Sequence, residues 1–205
     1  TWYKLQMSSG GRAGADTPPA FMRLITIKQL LLEVNMLIQN YFENPAVIRI
    51  GALPACSYFI PADNEHAARL RREYSGRFHS LNGRWRFGFF ENVRALTAPF
   101  WENIGLTDGY GYIDLPSSWQ MKGFDQQQYV NIRYPFHFDP PFVPFENPCG
   151  VYMRSFTYDK RTGTRAVLNC EGIDSCFYLW LNGQFAGFSK ASYSTSRFDI
   201  TDFLH

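Results

Sequence analysis

Residues 116–152 hold the feature that most restricts what this chain can become. Pro116-Ser-Ser-Trp-Gln-Met-Lys-Gly-Phe-Asp125 leads through a Gln-rich step to Tyr129-Val-Asn-Ile-Arg-Tyr-Pro135. The run continues through Phe-His-Phe-Asp-Pro-Pro-Phe-Val-Pro-Phe-Glu-Asn-Pro-Cys-Gly to Val151 and Tyr152. Five prolines between Pro135 and Pro148 fix φ and remove backbone donors, so this stretch must be extended and looped. A loop of such length inside a compact domain is either functional or disordered. Its aromatic load argues for order, and therefore for function.

The rest of the chain reads as β-rich. An aromatic content of 18% exceeds what a helical bundle needs and fits the packing of pleated surfaces. Ser80-Leu-Asn-Gly-Arg-Trp-Arg-Phe-Gly-Phe-Phe90 alternates Trp85, Phe87 and Phe89 with Arg84, Arg86 and Gly88, the period of a half-buried strand. Further strands are predicted at 110–115, 151–158, 164–170, 175–181 and 184–188. Asn182-Gly183 joins the last two, and an Asn-Gly step between apolar runs marks a hairpin whose turn needs φ > 0 twice. Cys176-Phe-Tyr-Leu-Trp-Leu181 is apolar on both faces, which predicts a central strand. With no βαβ alternation and no repeat, the expectation is an all-β sandwich of jelly-roll type.

The N-terminal part differs. Residues 1–20 are rich in small and polar residues and read as disordered. In 24–38, Ile27, Leu30, Leu31, Val34 and Leu37 share one helical face, which predicts an amphipathic helix. The alternative, a secretory leader, is disfavoured by Lys28, Glu33 and the lack of a small-residue cleavage site. The run is also too short and too charged to span a bilayer. From Phe42 to about residue 79 no period appears, so this part is expected to be an irregular arm. The organisation expected is thus a 1–41 extension, a 42–79 arm and an 80–205 domain. The chain begins with Thr and stops among the apolar Phe198, Ile200, Phe203 and Leu204, so it is read as a C-terminally truncated fragment.

Charge and chemistry exclude several classes. A net charge of +2 does not suggest nucleic acid, and Arg69, Arg71 and Arg72 read as a solvated face. Cys56, Cys149, Cys170 and Cys176 lack zinc-site spacing and are expected as free thiols of a reducing cytoplasm. His66, His79, His137 and His205 show no metal-ligand pairing. No nucleophile elbow, P-loop or dinucleotide fingerprint is present. Glycoside cleavage ordinarily needs two carboxyl groups flanking one bond. Glu65 of Asn64-Glu65 reads as a solvated loop residue, and Asp139 and Glu146 as loop-stabilising groups. No catalytic residue is assigned.

Several motifs together resemble a known family. They are Phe42-Glu-Asn-Pro45, Ser80-Leu-Asn-Gly-x-Trp-x-Phe87, Trp119-Gln-Met-x-Gly-x-Asp125 and Tyr129-x-Asn131-x-x-Tyr134-Pro135. Asp139-Pro-Pro-Phe-Val-Pro144, Glu146-Asn-Pro-x-Gly150-x-Tyr152, Leu179-Trp-x-Asn-Gly183 through Gly187, and Phe198-Asp199 complete the set. Residues 42–205 resemble the N-terminal domain of bacterial β-galactosidases of glycoside hydrolase family 2, whereas residues 1–41 find no counterpart.

The resemblance implies a galactose-binding-like jelly roll, followed in the full enzyme by immunoglobulin-like domains and a TIM barrel. Two barrel glutamates would perform retaining double displacement on a β-galactoside. It implies magnesium and sodium for the full enzyme and none held by this chain, a homo-oligomer, and a cytoplasmic location without nucleic-acid or membrane partners. It also implies that Asn131 is the substrate-binding residue, reaching galactose hydroxyls, a task suited to an amide with donors and an acceptor. Read from turn chemistry alone, Asn131 is an Asx-turn residue. Ser118 and Val130 depart from the family's common Asn and Thr. Trp119 and Trp180 are read as core aromatics in strand-like settings. Two other readings remain: a free-standing carbohydrate-binding module, and a complementation partner docking its arm on another subunit.

Overall fold

A computed structural model describes residues 37–102, 108–126, 137–159 and 163–204. The helix expected at 24–38 therefore lies outside the described residues except for its last two positions. The strands in chain order are β1 (Arg49–Ile50), β2 (Gly83–Phe90), β3 (Gly111–Leu115), β4 (Cys149–Met153), β5 (Val167–Cys170), β6 (Phe177–Leu181), β7 (Gln184–Ser189) and β8 (Ser196–Asp199). One short helix, α1 (Glu65–Ala68), and several 3-10 turns lie between them. The fold is all-β. Every ladder is antiparallel, in the orders β1-β7-β6, β3-β2-β4 and β5-β8.

The alternation in β2 does what the sequence demands of it. Phe87 is fully buried and packs on Tyr152 and Phe124, with ring centroids 4.8 Å away in each case. Ile113 of β3 and Val151 of β4 are buried in the flanking strands. The opposite face is covered as well: Tyr110 lies over Gly88, and the Arg84 guanidinium stacks on Tyr112 at 4.2 Å.

A second core forms where β5 and β8 meet β6. Phe198, Ile200 and Ala166 are buried, with Phe177, Leu179 and Leu181 packed against them. The other face of β6 carries Tyr178 and Trp180, cross-strand partners of Phe188 and Phe185. Such pairs are the stabilising unit of a sheet. Trp101 stacks on Trp180 at 4.5 Å and 6°. Both faces of β6 are thus covered, as its apolar composition requires. Its position is nevertheless a correction: among the described strands β7 is central and β6 is at the edge. Double-sided burial here comes from aromatic packing on each face, and a neighbouring strand on each side is not needed for it. The hairpin turn follows its chemistry, with φ of 48° at Asn182 and 79° at Gly183.

The two halves of this core approach closely. A Cβ at Gly187 would sit 2.4 Å from Phe198 Cε1 and 2.6 Å from the Ile50 carbonyl oxygen. The Ser189 and Ser196 hydroxyls, both buried, bond at 2.8 Å and tie β7 to β8. Past β8, Asp199 accepts from the Thr201 hydroxyl at 2.6 Å, from its N–H at 3.1 Å, and from Arg165 at 2.7 Å. The Thr201 oxygen in turn accepts the Ala166 N–H at 2.9 Å, closing the end of the β5-β8 pair.

Two outcomes follow from these contacts. Gly187→Ala should lower stability by about 1–3 kcal/mol, the cost of overpacking, whereas Gly172→Ala, which meets open space, should change the denaturation midpoint little. Hydrogen bonds from Thr201 and then the Arg165 charge hold the Asp199 carboxyl below the usual carboxylate range. A depressed folded value means that its contribution is complete above the unfolded value of about 3.9 and is lost as pH falls through the folded one. Acid titrations of stability should therefore show a shallower low-pH decline for Asp199→Asn than for the unaltered chain.

Candidate functional site

The loop expected to carry function leaves β3 and returns into β4, and its two described legs are held in different ways. The first leg is bolted to the core. Trp119 opens a 3-10 turn over Gln120–Lys122 that Gly123 ends at φ 82°, and Phe124 N–H returns to the Trp119 carbonyl at 3.2 Å. Trp119 packs on Phe89 at 5.8 Å and Phe87 at 6.4 Å. Gly150 is needed beneath it, since a Cβ there would lie 2.6 Å from Trp119 Cζ3. Trp119 is a core aromatic as expected, but in a turn and not in a strand; its indole N–H is buried with no hydrogen-bond partner among the described residues.

The second leg, 137–148, is more exposed. Phe138 is 86%, Phe145 68% and Phe142 56% exposed. Between them, the Val143 N–H donates to Glu43 Oε1 at 3.1 Å.

Glu43 belongs to the Phe42-Glu-Asn-Pro45 segment, and it is buried. Its carboxylate also accepts from Asn40 at 2.7 Å and lies 3.5 Å from Arg94. The same stretch of arm is gripped from the sheet side. Lys190, just past β7, donates to the carbonyls of Asn44 at 2.7 Å, Tyr41 at 3.2 Å and Phe42 at 3.4 Å. The Tyr178 hydroxyl donates to the Gln39 carbonyl at 2.6 Å and accepts the Tyr41 N–H at 3.1 Å. Burial pushes that phenol well above its ordinary value, which favours the neutral hydroxyl that donates to Gln39. Sequence reasoning missed Lys190 altogether and met Glu43 only within a motif.

A groove of about 170 Å³ runs beside this clamp, lined by Leu37, Ile38, Gln39, Tyr41, Tyr178, Trp180 and Phe185. Other expected residues fall elsewhere. Asn131, with Tyr129, Tyr134 and Pro135, lies outside the described residues. Glu65 is exposed and pairs with Arg69 at 2.5 Å, while Asn64 caps α1 by accepting the Ala67 N–H at 2.8 Å. Arg72 is not merely solvated: it holds both Glu171 oxygens, at 2.7 and 2.8 Å, and fastens the outer arm to the segment after β5. The four cysteines are unpaired, and burial pushes the Cys149 thiol up to about 11. Among the described residues no group of three or more His, Cys, Asp or Glu could hold a metal, and no helix is long and apolar enough to cross a membrane.

Comparison with known proteins decides the lineage. Residues 78–205 match the family described as glycosyl hydrolases family 2, sugar binding domain. The chain belongs to glycosyl hydrolase family 2. Within it, the chain is similar to a beta-galactosidase of Actinobacillus pleuropneumoniae, 42% identical over 82% of this chain and 16% of the relative. A beta-galactosidase of Staphylococcus xylosus is 38% identical over 82% of this chain and 17% of the relative. One from Vibrio cholerae is 35% identical over 83% of this chain and 16% of the relative. The chain thus spans about a sixth of the length of these family 2 relatives. Of the described motif segments, Phe42–Pro45 lies in the clamp, and Trp119–Asp125 and Asp139–Pro148 lie in the two legs of the loop.

Lys190→Met should leave the arm carbonyls without their cation, at a cost of about 1–3 kcal/mol for unsatisfied polar groups. Limited proteolysis should then cut within 39–47 while the 83–90 region stays protected.

Proposed function

We propose that this chain is the N-terminal, sugar-proximal part of a β-galactosidase that removes terminal non-reducing β-D-galactose residues. The observation that carries the reading is the family 2 sugar-binding match over 78–205, together with 35–42% identity to three beta-galactosidases. In the full enzyme, bond cleavage belongs to two glutamates of a barrel outside these residues, by retaining double displacement. The role of this chain is to bind and orient. Asn131 offers its amide to galactose hydroxyls, donating and accepting at neighbouring positions. Jelly-roll connectivity, a lactose-like substrate, homo-oligomeric assembly and a cytoplasmic location go with the same reading.

Glu43, Asp63, Glu171 and Asp199 are each engaged by an arginine, which ties these four carboxylates into the fold. Magnesium and sodium go with the full enzyme in the same reading, and among the described residues no group of three or more His, Cys, Asp or Glu could hold either ion.

The exposed rings of Phe138, Phe142 and Phe145 agree with a loop covered by further polypeptide. The groove beside Tyr178 and Trp180 is the one observation that favours a free-standing carbohydrate-binding module. Calorimetric titration with galactose and lactose separates the two readings: no heat is expected from the 205-residue chain, and saturable binding would favour the module.

The 205-residue chain should not hydrolyse o-nitrophenyl β-galactoside, and joining it to the remaining domains should give turnover. In that joined enzyme Asn131→Ala should lower kcat/KM by about 10–100-fold, the loss expected for a buried hydroxyl contact. Unchanged kcat/KM would remove Asn131 from the site.

A further inference from the structure

Residues 54–79 run past β8 and the end of β5 with little packing to hold them. Of these residues only Ser75 is buried, and their regular structure is α1 and the turn of Arg72–Tyr74. Both ends are pinned. The Leu53 N–H donates to the Arg197 carbonyl at 2.7 Å, and Arg154 donates to the carbonyls of Leu81 and Asn82, at 2.7 Å each. Between the pins, one guanidinium gathers the segment. Arg72 reaches both Glu171 oxygens, at 2.7 and 2.8 Å, and donates to the Tyr58 hydroxyl at 2.5 Å. That hydroxyl donates to Glu171 in turn at 2.9 Å, and the Arg72 guanidinium lies 5.0 Å from the centre of the Phe78 ring. Tyr58 is near the start of the segment, Phe78 is near its end, and Glu171 follows β5, so three stretches meet on one side chain. Beside Tyr58, Phe59 covers the Arg197 guanidinium at 5.6 Å, and Cys56 accepts from that group.

We propose that residues 54–79 are a strap latched by Arg72, which opens as ionic strength rises while its ends stay in place. With only Ser75 buried, the latch rather than packing decides whether the strap is closed. The Arg72 and Glu171 side chains are 34% and 37% exposed, within reach of counterions. Salt screens such a pair far more than a buried one. Arginine fits the position because its planar group bonds a carboxylate and a hydroxyl while its charge meets the Phe78 ring. Opening takes Phe59 off Arg197, so the strap controls access to a cation of β8. Away from the sheets, the helix of Glu65–Ala68 and the turn of Arg72–Tyr74 are too short to persist, so their amides exchange once the latch is open.

The test is amide hydrogen exchange on the full 205-residue chain at one pH, in about 50 mM and about 1 M sodium chloride. Peptides from 64–79 are compared with peptides from β2. Exchange in the strap should rise about threefold or more in high salt, the scale of a screened ion-pair network, with β2 unchanged. Arg72→Met should exchange fast in both salts. Glu171→Gln, which removes the charge and keeps the shape, should lose the salt dependence as well. Arg69→Met, which breaks an exposed pair within the strap, should respond to salt as the unaltered chain does. Equal exchange at both salts in the strap of the unaltered chain overturns the proposal. So does a rise in β2 that matches the rise in the strap, or an Arg72→Met or Glu171→Gln chain whose strap still responds to salt.

Discussion

The described structure depends on an arm that residues far along the chain hold in place. Residues 39–47 form neither helix nor strand, yet they run against the aromatic face of β6 and β7. The arm's own turn bonds, the Asn44 N–H to the Tyr41 carbonyl at 3.2 Å and the Val47 N–H to the Asn44 carbonyl at 3.0 Å, stay within it, so its attachment comes from elsewhere. Lys190 supplies a cation to three carbonyls, Tyr178 bridges a carbonyl and an N–H, and the buried Glu43 carboxylate accepts the Val143 N–H of the loop. Hydrogen bonds to charged groups contribute about 1.5–3 kcal/mol each, so this clamp is comparable in size to the burial of a large core side chain. Once it is set, Arg49 and Ile50 are delivered to Ser189 and Phe188 as a short edge strand.

From that clamp the chemistry of the loop follows. Its first leg is fixed by packing: Trp119 and Phe124 seat on Phe87 and Phe89, with Gly150 leaving room. Its second leg is fixed by a hydrogen bond to a residue of the arm. The two described legs are thus held by different kinds of interaction.

How much of this was legible in the sequence depends on the range of each interaction. The Asn182-Gly183 hairpin and the alternation of Trp85, Phe87 and Phe89 are local signals, and both appear as expected. β1, with two residues, is too short for any period to show. The composition of β6 predicts a central strand because it reports burial, but composition cannot separate burial under aromatic rings from burial between strands. Trp119 was read as a strand residue because the turn that holds it is set by Gly123 and Phe124 further along. Glu43 and Lys190 act on backbone groups about 100 and 146–149 residues away, and no pattern of neighbours reveals that. Asn131 was reached only through resemblance, and it lies outside the described residues.

The clamp is the claim on which the other conclusions rest, and it asserts that Lys190 and Glu43 hold one object from two sides. A double-mutant cycle on the denaturation free energies of Lys190→Met, Glu43→Ala and the pair measures that directly. The account predicts a coupling of about 1 kcal/mol or more, because either change alone already frees the arm. Additivity within about 0.5 kcal/mol would contradict it, and would mean that the arm is two independent attachments.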